Sequence, residues 1–191
     1  QRKRWGVYNH YVVEKKHPML RDINTRFDVP HSRNNNVTRE QLEKVGVDVL
    51  VETSDGDVHM AVSPDQFRVV YLQGHPEYYT VSLLKEYKRE IKRFYSDAIT
   101  DYPSCPDHYF GIEAMAIADN YQEQVRIAKK QGAIIPSFPE EQIQMYLHNT
   151  WRDTGKALFN NWLGLVYQLT NVDRKLPFTS GINLEDPLGI L

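Results

Sequence analysis

The sequence predicts an α/β fold, and three observations carry that reading. Valine stands at 45, 47, 49 and 51, a period of two that puts all four on one face of a strand. Residues 67–72, FRVVYL, are almost continuously apolar and rich in β-branched side chains, the pattern of a strand covered on both faces. From residue 81 the spacing changes. Val81, Leu84, Tyr87, Ile91 and Phe94 recur at three and four, the stripe of an amphipathic helix.

The elements follow in order. Residues 5–13 alternate roughly, with Val7, Tyr11 and Val13 as the expected buried face of a first strand. The valine strand over 45–51 runs into Ser54-Asp55-Gly56-Asp57, where glycine permits the positive φ of a tight hairpin turn, and a second strand over 58–62 returns. Ser63-Pro64-Asp65 turns the chain into the strand over 67–72. That strand ends at Gln73-Gly74-His75-Pro76-Glu77, and a helix over about 81–98 follows. Prolines at 103 and 106 break it. A helix over 121–131 closes at Gly132, and Ser137 with Glu140 forms a capping box for another helix to about Asn149. The last helix spans about 151–170, with Leu158, Trp162, Leu165 and Leu169 on one face. From Lys175 the tail, with Pro177, Gly181, Pro187 and Gly189, is extended along the surface. No linker interrupts the chain, so it reads as one domain or part of one.

Composition narrows the functions. The 191 residues are 41% hydrophobic and 25% charged, which supplies a core and excludes a disordered chain. No apolar run reaches about 18 residues, so no membrane partner is expected. The net charge is -2 and the basic residues do not segregate, which argues against a nucleic-acid partner. The single cysteine, Cys105, allows no internal disulfide and no zinc cluster, and points to the cytoplasm. The chain opens on Gln1 and the cluster Arg2-Lys3-Arg4, and so reads as part of a longer product.

Gly74-His75-Pro76-Glu77 is the sharpest candidate for chemistry. Histidine titrates near neutrality, and a carboxylate two residues away can fix its tautomer and stabilise its charged form. This is the base and orienting half of a triad, without a nucleophile; the plain alternative is a turn histidine that caps or packs. Pro30-His31-Ser32-Arg33 reads as a polar loop, in which Ser32 can bond a substrate hydroxyl or carboxylate and Arg33 can grip a carboxylate, or as a solvated loop. Glu86 and Arg89, three apart on one helix face, suit either an amino-acid substrate's ammonium and carboxylate or a surface pair. Cys105 sits in a proline-flanked loop, which lacks the strand-to-helix elbow a nucleophile needs.

Together these motifs resemble the homoserine O-acyltransferase family, the transsuccinylases and transacetylases of methionine biosynthesis. The resemblance rests on Lys3 followed by Gly6-Val7-Tyr8-Asn9-His10, on Pro30-His31-Ser32-Arg33, on Gly74-His75-Pro76-Glu77-Tyr78, and on Glu86-Tyr87-Lys88-Arg89. Tyr109-Phe110, Trp151-Arg152, Asn161-Trp162-Leu163 and Tyr167-Gln168 continue it, so that it covers residues 3–173. Tyr79 departs from the family's Asp, and residues 111–149 are longer than the matching stretch.

The resemblance implies a class I glutamine amidotransferase-like, flavodoxin-like α/β sandwich. Residues 1–191 would be the C-terminal portion of a single acyltransferase domain, with 110–149 a helical insertion, extra C-terminal helices and 175–191 a tail. It implies an acyl-CoA-dependent transfer of succinyl or acetyl to the homoserine hydroxyl through a cysteine acyl-enzyme. That cysteine would precede Gln1, in an N-terminal part. His75 matches the base and Glu77 its partner, while Lys3, Ser32, Arg33, Glu86 and Arg89 match substrate-binding positions. Acyl-CoA is a co-substrate, no cofactor or metal is implied, and the assembly is a homodimer. Two other functions fit the same dyad: an amidotransferase-type Cys-His-Glu hydrolase, and a binding domain without the nucleophile.

Overall fold

The computed structural model describes residues 3–191; Gln1 and Arg2, the start of the basic opening, lie outside the described residues. It is an α/β structure whose strands, β1 (Arg4–Val12), β2 (Arg26–Arg33), β3 (Asp48–Glu52), β4 (Val58–Val62) and β5 (Val70–Leu72), form a sheet in the order β2-β1-β3-β4-β5. The pairings β1–β3, β3–β4 and β4–β5 are antiparallel. The helices are α1 (Arg39–Glu43), α2 (Ser82–Tyr95), α3 (Ile112–Gln131), α4 (Glu140–Gln144) and α5 (Arg152–Leu169), with a 3₁₀ turn at Pro18–Leu20. No helix among the described residues is long and apolar enough to cross a membrane.

The chain divides into two compact units. The first holds Lys3, Arg4, Tyr8–Glu77 and Thr150–Leu191. Its main apolar cluster includes Met19, Phe27, Val29, Val51, Val62 and Phe178, to which α5 contributes Leu158. Asn161 of α5 donates to the carbonyls of Met19 and Arg21 at 3.0 and 2.7 Å, closing the 3₁₀ turn. A smaller cluster, Val47, Val49, Val58 and Ala61, lies under Leu42 of α1.

The hairpin of β3 and β4 forms as expected, with Gly56 at φ 79. The strict valine alternation does not survive. Val49 pairs with Ala61 but Val51 with Met60, so Leu50 is an extra residue on β3. Glu52 then pairs with Val58, so His59 is an extra residue on β4. The Leu50 bulge puts Val49 in the small cluster and Val51 in the large one. Val45 lies before β3, in the turn that follows α1, and is 68% exposed.

Two further strand expectations are corrected. The run 67–72 is not a strand covered on both faces: only Val70–Leu72 is extended, with Tyr71 and Leu72 42% and 49% exposed at the edge of the described sheet. Asp65 accepts the amides of Phe67 and Arg68, and Gln66 sits at φ 64, so the turn persists past Phe67. Along β1, His10 and Val12 are buried in place of Tyr11 and Val13. Pro30-His31-Ser32-Arg33 is not a loop but the end of β2.

The second unit is Trp5–Val7 with Tyr78–Asn149. Leu84, Tyr87, Ile91 and Phe94 of α2 are buried as the periodicity requires. α3 begins at Ile112, nine residues before the expected start at 121, and its buried face is Ala114, Ala118, Tyr121, Val125 and Ala128. Gly132 caps it in the left-handed region at φ 63. The Ser137 capping box does not form: the N-cap of α4 is Pro139, without a side-chain cap. Tyr87 is the centre of an aromatic set, with Trp5 at 6.2 Å and Phe110 at 5.6 Å. Gly6 approaches Asp107 so closely that a Cβ would lie 2.1 Å from the Asp107 carbonyl oxygen.

Candidate active site

The first unit brings His75 and Glu77 together. His75 Nδ1 lies 2.9 Å from Glu77 Oε1. A carboxylate accepts, so the proton of the neutral ring sits on Nδ1 and the basic lone pair on Nε2. The imidazole is 36% exposed and the carboxylate 67%, so water reaches both.

The turn that carries His75 is fixed at three successive amides. Gln73 N–H donates to the His59 carbonyl at 2.8 Å, Gly74 N–H to His59 Nδ1 at 3.3 Å, and His75 N–H to the Pro30 carbonyl at 2.7 Å. Gly74 is required here for space: a Cβ would stand 2.6 Å from Val29 Cγ1 and 2.7 Å from His31 Nε2. Gly155 plays the same part behind the turn, where a Cβ would stand 2.8 Å from the Pro76 carbonyl oxygen.

Behind Gly74 lies a layer that sequence reasoning missed. His10, His31 and His59 are each fully buried. The rings of His10 and His31 stack at 5.1 Å, and their Nε2 atoms are 3.2 Å apart. The tautomers follow from the ends of the chain. Arg33 Nε–H donates to His31 Nδ1 at 3.2 Å, so His31 carries its proton on Nε2 and donates to His10 Nε2. His10 then donates from Nδ1 to the Tyr8 carbonyl at 2.8 Å. Every link needs a neutral ring. Burial enforces this: it lowers the His10 pKa to about 4 and takes His31 and His59 well below the usual value, helped by the neighbouring rings and arginines.

Arg33 is an anchor of this layer. Its Nη2 meets both oxygens of buried Asp57 at 2.6 Å, and its Nη1 donates to the Asn35 carbonyl and to Asn36 Oδ1 at 2.9 and 2.6 Å. All three nitrogens are thus engaged by the protein, and the side chain is 12% exposed. Arg4 Nε approaches Asp57 Oδ2 at 2.6 Å, an ion contact without hydrogen-bond alignment. The hairpin delivers Asp57 to this pair, because Thr53 Oγ1 holds the Asp57 amide at 2.9 Å.

A sequence model of the homoserine O-succinyltransferase family matches residues 1–172. The chain belongs to the homoserine O-succinyltransferase family. It is 57% identical over 188 residues to the homoserine O-succinyltransferase of Methylococcus capsulatus, 98% of this chain and 53% of that protein. The homoserine O-succinyltransferases of Thiothrix nivea and Nitrosococcus oceani are 55% and 54% identical over 188 residues, again 98% of this chain and 52% of theirs. The chain spans about half the length of the curated relatives it matches.

The other expected site residues of this homoserine O-succinyltransferase-family chain fall as follows. Lys3 is half-buried just before β1, and Ser32 is half-buried on β2. Glu86 and Arg89 belong to the second unit, on α2, where their charged groups are 4.0 Å apart. Glu86 is 14% exposed and accepts from the Tyr78 hydroxyl at 3.0 Å; Arg89 is 62% exposed and pairs with Glu90 at 3.1 Å. Cys105, also in the second unit, is half-buried, and burial pushes its thiol pKa up, so it resists forming the thiolate. A cleft of about 530 Å³ in the first unit, bordered by His17, Arg39, Asp48 and Gln66, includes none of the expected site residues. Among the described residues no group of His, Cys, Asp and Glu is arranged to hold a metal ion.

Proposed function

We propose that the chain is the C-terminal part of an acyl-CoA-dependent homoserine O-acyltransferase, with His75 as general base and Glu77 as its orienting partner. The observation that carries this reading is the His75 Nδ1–Glu77 contact, held on a turn fixed at three amides, in a chain of this family. The printed names of the family and the relatives favour succinyl as the group transferred.

The chemistry follows from the tautomer. A cysteine from sequence preceding Gln1 gives its proton to His75 Nε2 and attacks the thioester of acyl-CoA, and the CoA thiolate leaves with a proton. The acyl-enzyme then meets homoserine. His75 Nε2 takes the hydroxyl proton as the oxygen attacks, and returns it to the departing cysteine. Glu77 stabilises the imidazolium in both steps. Arg89 pairs with the acceptor's carboxylate, Glu86 with its ammonium, and Lys3 and Ser32 bind at the acyl and acceptor positions. Arg33 supports them from its buried place on β2. We further propose a class I glutamine amidotransferase-like sandwich for the whole domain, with 110–149 as a helical insertion and 175–191 as a tail. A cytoplasmic homodimer completes the reading.

His75→Ala in the full-length protein tests it. Turnover is expected to fall about 10²–10⁴-fold, the effect of removing a general base. The melting temperature is expected to hold, because the ring is part-exposed. Near-normal turnover in the folded variant overturns the reading.

A further inference from the structure

We propose that His59 is the positioning residue that aims His75, a role that rests on the acyl-transfer reading above. His59 is the bulged residue of β4 and is fully buried. On the side facing β5 it does two things. Its carbonyl extends the ladder by one bond, to Gln73 N–H, and its ring nitrogen Nδ1 takes the next amide, Gly74 N–H. One residue therefore holds two of the three amides that lead into the base.

The ring's own protonation shows what it is there for. A backbone N–H can only donate, so His59 Nδ1 carries the lone pair and Nε2 carries the proton. That buried Nε2–H has no hydrogen-bond partner among the described residues. An orphaned buried donor is destabilising, a cost that leucine or phenylalanine in the same space would avoid. What the imidazole supplies and an apolar side chain cannot is the acceptor at Nδ1.

Gly74 needs that acceptor more than another residue would. It has no side chain to anchor it and the widest backbone freedom of any residue, yet bulk is barred by Val29 and His31. Its neighbours are tied down independently. Gln73 Oε1 accepts the Val37 amide at 2.9 Å, and its Nε2 donates to the Val37 and Val58 carbonyls at 2.8 and 3.0 Å. His75 N–H is held by Pro30. Gly74 is the joint between these two anchors, and His59 is what locks it.

Two matched amide variants of the full-length protein test the assignment. Asparagine places Oδ1 where His59 has Nδ1; glutamine places its amide at the Nε2 end. With His59→Asn, kcat is expected within about threefold of the unsubstituted protein, and with His59→Gln it is expected to fall on the order of 10- to 100-fold, since a small misplacement of a catalytic group carries losses of that size. The acceptor KM should change little in either, because the lost bond aims the base and does not touch the substrate. Equal kcat in the two variants, or a loss that tracks melting temperature and not the acceptor atom, overturns the proposal. If either variant fails to fold, amide exchange at Gly74 in the unsubstituted protein decides: protection comparable with the β4 amides supports the lock, and exchange at the rate of an open loop overturns it. His75→Ala is assayed alongside. Full turnover there breaks the general-base reading itself, whatever the Gly74 amide does.

Discussion

His31 and His75 are the same side chain in opposite surroundings, and Arg33 and Arg89 repeat the contrast. His31 lies directly behind Gly74, fully buried and bonded at both nitrogens. His75, one residue on from Gly74, is 36% exposed. Arg33 is 12% exposed with every nitrogen engaged; Arg89 is 62% exposed and pairs with Glu86 and Glu90 on its own helix. The buried members are fixed in one protonation state by what surrounds them. The exposed members are open to water and can change partners. A histidine that must move a proton belongs with the second group, and a layer that must not move belongs with the first.

The largest expected effect comes from breaking the buried side. Arg33→Ala leaves Asp57 facing Arg4 alone and takes the donor from His31 Nδ1. Removing one member of a buried ion network destabilises by about 3–5 kcal/mol. Urea denaturation should show this, and a loss under about 1 kcal/mol would place Arg33 with the exposed group.

Acid should break the same layer next. A histidine with a depressed folded pKa binds protons more readily when unfolded, so its contribution declines as pH falls below the ordinary value near 6.5 and levels off near its folded value. For His10, folded at about 4, that window runs from about 6.5 down to 4 and amounts to roughly 3 kcal/mol, with His31 and His59 acting in the same direction. Asp65 does not confuse the measurement. Burial pushes its carboxyl up, but the amides of Arg68 and Phe67 and the Arg68 side chain hold it at about 2, so its contribution is lost only below the ordinary carboxylate range. Denaturation midpoints at pH 7.5, 6.5 and 5.5 should therefore fall, and flat midpoints would mean that the layer tolerates charge.

On the exposed side, Arg89→Ala should leave stability unchanged and weaken the acceptor half-reaction. Losing a charge-assisted pair to a carboxylate costs about 1.5–3 kcal/mol, or tenfold to over a hundredfold in kcat/KM for homoserine. Enzyme acylation by the acyl donor should be almost unaffected. Rapid-quench measurement of both steps sharpens the contrast; equal damage to both would move Arg89 out of the acceptor site.

The smallest effect is expected at Cys105. Its thiol is part-buried with its pKa raised, so Cys105→Ser should keep turnover and shift stability by no more than about 1 kcal/mol. A dead but folded Cys105→Ser protein would make it the nucleophile after all.

The parts legible in the sequence are those set by local chemistry. Gly56 gave the hairpin, Gly132 the end of α3, and the Leu84 to Phe94 stripe the buried face of α2. The His75–Glu77 pair was legible because two residues of separation in a tight turn suffice to bring it together. What escaped depended on distant chain. The polar quartet Pro30-His31-Ser32-Arg33 suggested a loop, yet in β2 the proline needs no amide, and its carbonyl receives His75. The first turns of α3 were hidden because alanine carries its buried face there. Nothing in a histidine's neighbours in sequence tells whether it will face water, so the His10–His31–His59 layer had no signal of its own. The run at 67–72 misled because Asp65 captures amides that a strand would have used.

The paired bulges behave like two frameshifts of opposite sign. Leu50 adds one residue to β3, and His59 adds one to β4 across from it, so the strands leave the hairpin stem in the phase in which they began. Past Leu50, Val51 faces the large cluster, where strict alternation from Val49 would have put it in the small one. Deleting either residue alone would remove one bulge, leave its flanking residues alternating between the two faces, and keep the other bulge in place. Deleting both would restore the ladder and silence the error, at the expense of the one ring that reaches Gly74. The sheet could thus lose its irregularity without unfolding, and the site behind His75 is where the loss would be felt.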